Sequence, residues 1–157
     1  DFWRILGLIF FGDKAHFILP GEKKFDLGKI EAFCSEKGIA LYDTACKVVR
    51  LKDNASDKFL QIEEATDIDA LLKRLPQCGA IVATGQKAAE LLSAHFNCQQ
   101  PLVGSCVPVQ SGQRSLRLYR MPSTSRAYPL AIGLKAKAYR QLFSAEHILQ
   151  AGGCCPL

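Results

Sequence analysis

Three strand-length runs punctuate this chain: Ile39-Ala40-Leu41-Tyr42-Asp43, Ala80-Ile81-Val82-Ala83-Thr84 and the alternating stretch Ser115 to Arg120. Helical spacing fills much of the sequence between them. This alternation is the strongest constraint on the fold, because strands joined through helices predict an α/β architecture. The first two runs are apolar almost throughout, which predicts a mostly parallel sheet covered on both faces. In the third run, Leu116 and Leu118 fall on one face.

The helices follow from period and caps. Phe2, Ile5, Leu6, Ile9 and Phe10 predict a buried opening helix that stops at Gly12-Asp13, with a loop to Lys24 that turns at Pro20-Gly21. Asp26 caps a second helix carrying Leu27, Ile30 and Phe33, and Gly38 ends it in a left-handed conformation. Residues 46 to 65 are polar and mixed in sign, and predict a long exposed loop. Thr66 or Asp67 caps a helix with Ile68, Leu71, Leu72 and Leu75 inward, stopped by Pro76. Further helices are predicted over 86–96 and 130–149. Residues 97–113 read as loop around a short strand near Val107. One domain over 1–150 and a loose tail over 151–157 are expected.

The 157 residues suffice for one domain with a real core. No stretch approaches the roughly 18 apolar residues of a membrane span. The run Ile5 to Phe11 has no basic leader or small-residue cleavage site, so it reads as core helix and the protein as cytoplasmic. The net charge of +5 favours a polyanionic partner modestly, although a mildly basic cytosolic protein is the plainer reading of charge alone. Seven cysteines stand at wide spacings with no C-x-x-C pair, which predicts reduced, mostly buried thiols, no metal and no cofactor. The histidines at 16, 95 and 147 are far apart, and no G-x-S-x-G elbow is present, so a serine hydrolase is not supported.

In parallel α/β sheets, ligands bind at the carboxyl ends of strands. The first run ends in Asp43-Thr44, where an Asp can position a base edge or a water, or serve as a turn residue. The second ends in Thr84-Gly85-Gln86-Lys87, where a helix N-terminus offers N–H donors to an anion, or makes an ordinary strand-to-helix turn. The third runs into Met121-Pro122-Ser123-Thr124-Ser125-Arg126. Pro122 stops the strand, the hydroxyls and backbone N–H groups suit phosphate, and Arg126 can neutralise a phosphate or enter a groove. The same residues equally suit a capping turn before the final helix. That helix carries Lys135, Lys137 and Arg140, either as a solvated face or as phosphate contacts beside the loop.

Met121-Pro122-Ser123-Thr124-Ser125 resembles the second motif of the uracil-DNA glycosylase superfamily, written M-P-S-S-S-A-R in thymine-DNA glycosylases and N-P-S-G-L-S in the mismatch-specific uracil glycosylases. Phe2-Trp3-Arg4-Ile5 resembles the Asn-x-Phe-Trp segment of these families. Gly38 to Asp43 and Ile81 to Ala88 resemble the second- and third-strand segments, and Ala138-Tyr139-Arg140 the final helix. The likeness spans residues 1 to about 143. It implies a three-layer α/β/α sandwich, with a central mostly parallel sheet, and a monomer. The implied activity is removal of uracil or hypoxanthine from double-stranded DNA, by flipping the nucleotide out and hydrolysing its N-glycosidic bond.

On that resemblance, Met121 to Arg126 is the inserting loop, with Arg126 a better filler of the vacated space than Ser125. Phe2, Asp43, Thr44, Thr84, Gly85 and Gln86 are expected at the base, and Lys87, Lys135 and Lys137 at phosphates. The family's first motif, which positions the water, is not found between Asp1 and Leu157. It and the first strand are expected upstream of Asp1, in a bacterial cytoplasmic, nucleoid-associated protein. An inactive glycosylase-like DNA-binding module and an unrelated α/β nucleotide-binding protein are the competing readings.

Overall fold

The structure, a computed structural model, describes residues 1–50 and 60–149, and the tail expected over 151–157 lies outside them. The chain is mixed α/β and divides into two compact units, one of 1–40 and 122–157, the other of 41–121.

The first unit is built from α1 (Phe2–Phe11), α2 (Leu27–Lys37) and α5 (Ile132–Ala145). In α1 the apolar stripe buries Ile5, Leu6 and Ile9, and Gly12 closes the helix at φ 70°. Asp26 caps α2 by accepting from the Lys29 N–H at 3.1 Å, and Gly38 ends it at φ 65°, as the sequence predicts. Phe10 contacts the rings of Phe33 and Phe143 at 4.9 and 5.3 Å, which joins α1 to α2 and α5. The Arg140 guanidinium donates to the Ile9 carbonyl at 3.1 Å, placing a cation on the unsatisfied C-terminal end of α1. Helix α5 is shorter than the expected 130–149.

The second unit holds β1 (Ala45–Arg50), β2 (Leu60–Ala65), α3 (Ile68–Arg74), β3 (Ala80–Ala83), α4 (Gln86–His95), β4 (Ser105–Ser111) and β5 (Arg114–Arg120). The three-stranded sheet has the order β3-β5-β4, parallel between β3 and β5 and antiparallel between β4 and β5. Leu72, Ala83, Ala89, Leu92, Val109, Leu116 and Leu118 form the buried core under this sheet. Asp67, not Thr66, caps α3, accepting from the Ala70 N–H at 2.9 Å. The Arg114 guanidinium closes the other end, donating to the carbonyls of Leu72, Leu75 and Pro76 at 2.7 to 3.0 Å.

Five sequence expectations are corrected here. Residues 39–43 form no strand, and Leu41 and Tyr42 are exposed, because an apolar run becomes a strand only where a neighbour offers a ladder. Residues 46–65 are not all loop: β1 and β2 pair antiparallel, since backbone pairing between near neighbours costs little loop entropy whatever the side-chain polarity. The segment around Val107 is a full seven-residue strand, joined to β5 through Gly112 at φ 60°. Its Pro108 is tolerated because β4 is an edge. The sheet is therefore mixed, not mostly parallel. Nor are the thiols of the described residues buried: Cys46 and Cys106 are exposed and Cys34, Cys78 and Cys98 intermediate.

Gly7 tests the packing of the first unit. It sits inside α1, where Ala would be the better helix former by about 1 kcal/mol. A Cβ there would lie 2.4 Å from the Asp13 carbonyl oxygen, and Asp13 N–H donates back to the Gly7 carbonyl at 3.3 Å. The backbone contact wins, so Gly7→Ala is expected to destabilise by about 1–3 kcal/mol in urea unfolding. An unchanged unfolding midpoint would show that the turn yields instead.

Candidate nucleic-acid interface

Strand β5 delivers the chain to the hydroxyl loop. Met121 N–H donates to the Ala83 carbonyl at 2.9 Å, continuing the ladder by one bond, and Pro122 then has no donor to offer. The residues that follow, 122–129, belong to the first unit and are held from within it. Tyr139, buried on α5, donates its hydroxyl to the Pro122 carbonyl at 3.0 Å. Lys135, one turn earlier on the same helix face, donates its ammonium to the Ser125 carbonyl at 2.6 Å and lies 5.6 Å from the centre of the Tyr128 ring.

The loop's own hydroxyls shape the rest. Ser123 Oγ accepts from Ser125 N–H and Ser125 Oγ from Ala127 N–H, both at 3.2 Å. These are two successive side-chain-to-backbone turns, the local competition with regular structure that Ser favours. Tyr128 N–H also donates to the Ser125 carbonyl, at 3.2 Å. Ser123 and Thr124 are half-buried, while Ser125, Arg126 and Ala127 face solvent. The Arg126 side chain is 84% exposed, with its Nε 4.0 Å from Asp1 Oδ1. The Asp1 side chain is 14% exposed, so the pair is open to water on the guanidinium side alone, and it is that side which is available to a partner.

The structure changes the standing of Lys135. Expected at a phosphate, it is instead 1% exposed with its ammonium spent on the loop backbone. The spacing 135, 139, 142, 143 shows why: these positions form one buried stripe of α5. Tyr139 escaped the list of candidates although that stripe points to it. Lys137 is exposed, and Arg140 is engaged with α1. Phe2 is half-buried in the first unit, its ring edge on Trp3 at 5.1 Å.

The remaining candidates lie in the second unit. Thr84 and Gly85 are half-buried at the β3–α4 turn, and Gln86 and Lys87 are exposed at the start of α4. Gln86 is tied on both sides, accepting from Arg120 and donating to Glu90. Arg120 also donates to the Pro101 carbonyl at 3.3 Å, a role that sequence reasoning missed. Asp43 is exposed, and its carbonyl with that of Thr44 holds Thr66, through the Thr66 hydroxyl at 2.6 Å and its N–H at 3.2 Å. Asp43 and Thr44 thus share one cluster, and Thr84 to Gln86 another. No family model, curated protein or solved structure matches this chain.

Burial pushes the Tyr139 hydroxyl well above its ordinary ionisation near pH 10, so it stays a donor where an unfolded tyrosine would lose its proton. Above that pH the unfolded state holds fewer protons than the folded one, and stability falls as pH rises. Tyr139→Phe is expected to cost about 1 kcal/mol at neutral pH and to flatten this alkaline limb. Urea unfolding from pH 7 to 11 measures both effects. An alkaline limb identical to wild type would show that Tyr139 ionises in the folded state.

Proposed function

We propose that this chain engages double-stranded DNA and acts as a monofunctional N-glycosylase of the uracil-DNA glycosylase kind, removing uracil or hypoxanthine. The observation that carries the reading is the loop Met121 to Arg126. Two buried side chains of α5 bind its carbonyls, its hydroxyls bind its own amides, and Arg126 is left outward. A loop that must push into a base stack has to be ordered before it meets DNA, because ordering during binding subtracts from affinity. It also has to present a group able to occupy the space of a flipped nucleotide. Arg126 does both better than Ser125, since its planar guanidinium can stack on bases and pair with phosphate.

The formal charge of +5 supports a polyanionic partner in the same direction. The reading brings with it the three-layer α/β/α sandwich of that fold, a monomeric enzyme and no metal. In the second unit Asp43, Thr44, Thr84, Gly85 and Gln86 stay candidates for the base and Lys87 for phosphate; in the first, Phe2 stays a candidate for the base and Lys137 for phosphate. Lys135 leaves the phosphate group and joins the support of the loop.

Incubation with duplexes carrying a single uracil or hypoxanthine is expected to release free base. Arg126→Ala is expected to weaken duplex binding and to lower the slope of log K against log salt by about 0.9, the contribution of one phosphate contact in B-form DNA. Duplex binding without base release from any deaminated substrate would leave a glycosylase-like binding module. A nucleotide that raises the melting temperature while DNA does not would overturn the proposal in favour of nucleotide binding at Thr84-Gly85-Gln86.

A further inference from the structure

We infer that Lys135 is the positioning residue of the hydroxyl loop: by drawing the Ser125 carbonyl inward it turns Arg126 outward. The function of that outward residue rests on the DNA reading above, whereas the positioning itself does not. Lys135 is 1% exposed, and its ammonium meets one carbonyl and the face of one ring. Removing an ammonium from water costs free energy that a methionine of similar length would not. The stability of the α5 packing therefore does not explain a lysine here.

What the ammonium does is local. The Ser125 carbonyl receives two donors, Lys135 Nζ at 2.6 Å and Tyr128 N–H at 3.2 Å. Fixing that oxygen fixes the plane of the peptide between Ser125 and Arg126. On one side of this plane Ser125 Oγ holds the Ala127 amide, and on the other Ser123 Oγ holds the Ser125 amide. The backbone on both sides of Arg126 is thus tied down, and its side chain runs into solvent past the Asp1 carboxylate, 4.0 Å from its Nε. Without the ammonium, the Ser125 carbonyl keeps one local donor, the Tyr128 N–H, and the peptide plane is held less tightly.

The test is Lys135→Met in the full chain, followed by amide hydrogen exchange. The Ala127 and Tyr128 amides are expected to exchange about tenfold faster, with the Ile9 and Leu142 helix amides unchanged and the melting temperature not lowered. Affinity for a uracil-containing duplex is expected to fall about tenfold with the salt slope unaltered, which separates positioning from the loss of a phosphate contact. Loop amides as protected as in wild type overturn the inference. So does exchange that rises equally at Ile9 and Leu142, the mark of a lysine needed by the unit as a whole. Loop amides that open in a protein whose wild type has no duplex affinity support the positioning and reject the DNA reading. Should Lys135→Met not fold, the wild type labelled at lysine nitrogen decides. The Lys135 ammonium is expected to exchange protons about tenfold more slowly than that of exposed Lys137, and equal rates overturn the inference.

Discussion

Strand β5 is hydrogen-bonded along both edges, to β3 on one side and β4 on the other. A strand paired twice has its backbone donors and acceptors met and can be buried, and the rest of the second unit is arranged around that condition. Leu116 and Leu118 point into the core that α3 and α4 contribute to, and Arg114 at its start secures the end of α3. At its other end the ladder runs one bond further, through Met121 to Ala83, and stops at proline. The place where the chain leaves the sheet is therefore set by the same pairing that builds it.

Beyond that point the loop depends on a buried charge. Most hydrogen bonds in a surface turn are neutral and compete with water at little net gain. An ammonium bound to a carbonyl away from solvent is a stronger contact, and one that is costly to leave unmade. Lys135 and Tyr139 apply donors to two carbonyls of the loop three residues apart in sequence, Pro122 and Ser125. The hydroxyl oxygens of Ser123 and Ser125 accept from the loop's own amides, which fixes their positions and leaves each O–H as a donor. What the loop has to offer a partner is its exposed tip.

The basic side chains make a related point. Arg114, Arg120, Arg140 and Lys135 all direct their donors at backbone carbonyls within their own units. A guanidinium has five donors in a fixed fork and no acceptor, which suits it to close helix ends and turns. Net charge counts these residues as though they were free, so it overstates the surface open to an anion. Arg126 and Lys137 face solvent, and which cations do so carries more information than the total.

The sequence by itself determined the elements whose causes are local. The stripe Ile5, Leu6, Ile9, the cap at Asp26, the left-handed Gly38, the inward pair Leu116 and Leu118, and the stop at Pro122 each follow from spacing or one residue's torsional limits. Tertiary structure alone decided which extended runs became strands. Ile39 to Asp43 has the composition of a strand and forms none, while the polar stretch from residue 46 contains two, because pairing requires a partner and composition does not reveal one. It also decided the direction of Lys135. A lysine on a helix is ordinarily a solvated charge, and a carbonyl ten residues away in sequence turned this one into the support of the loop that Arg126 presents.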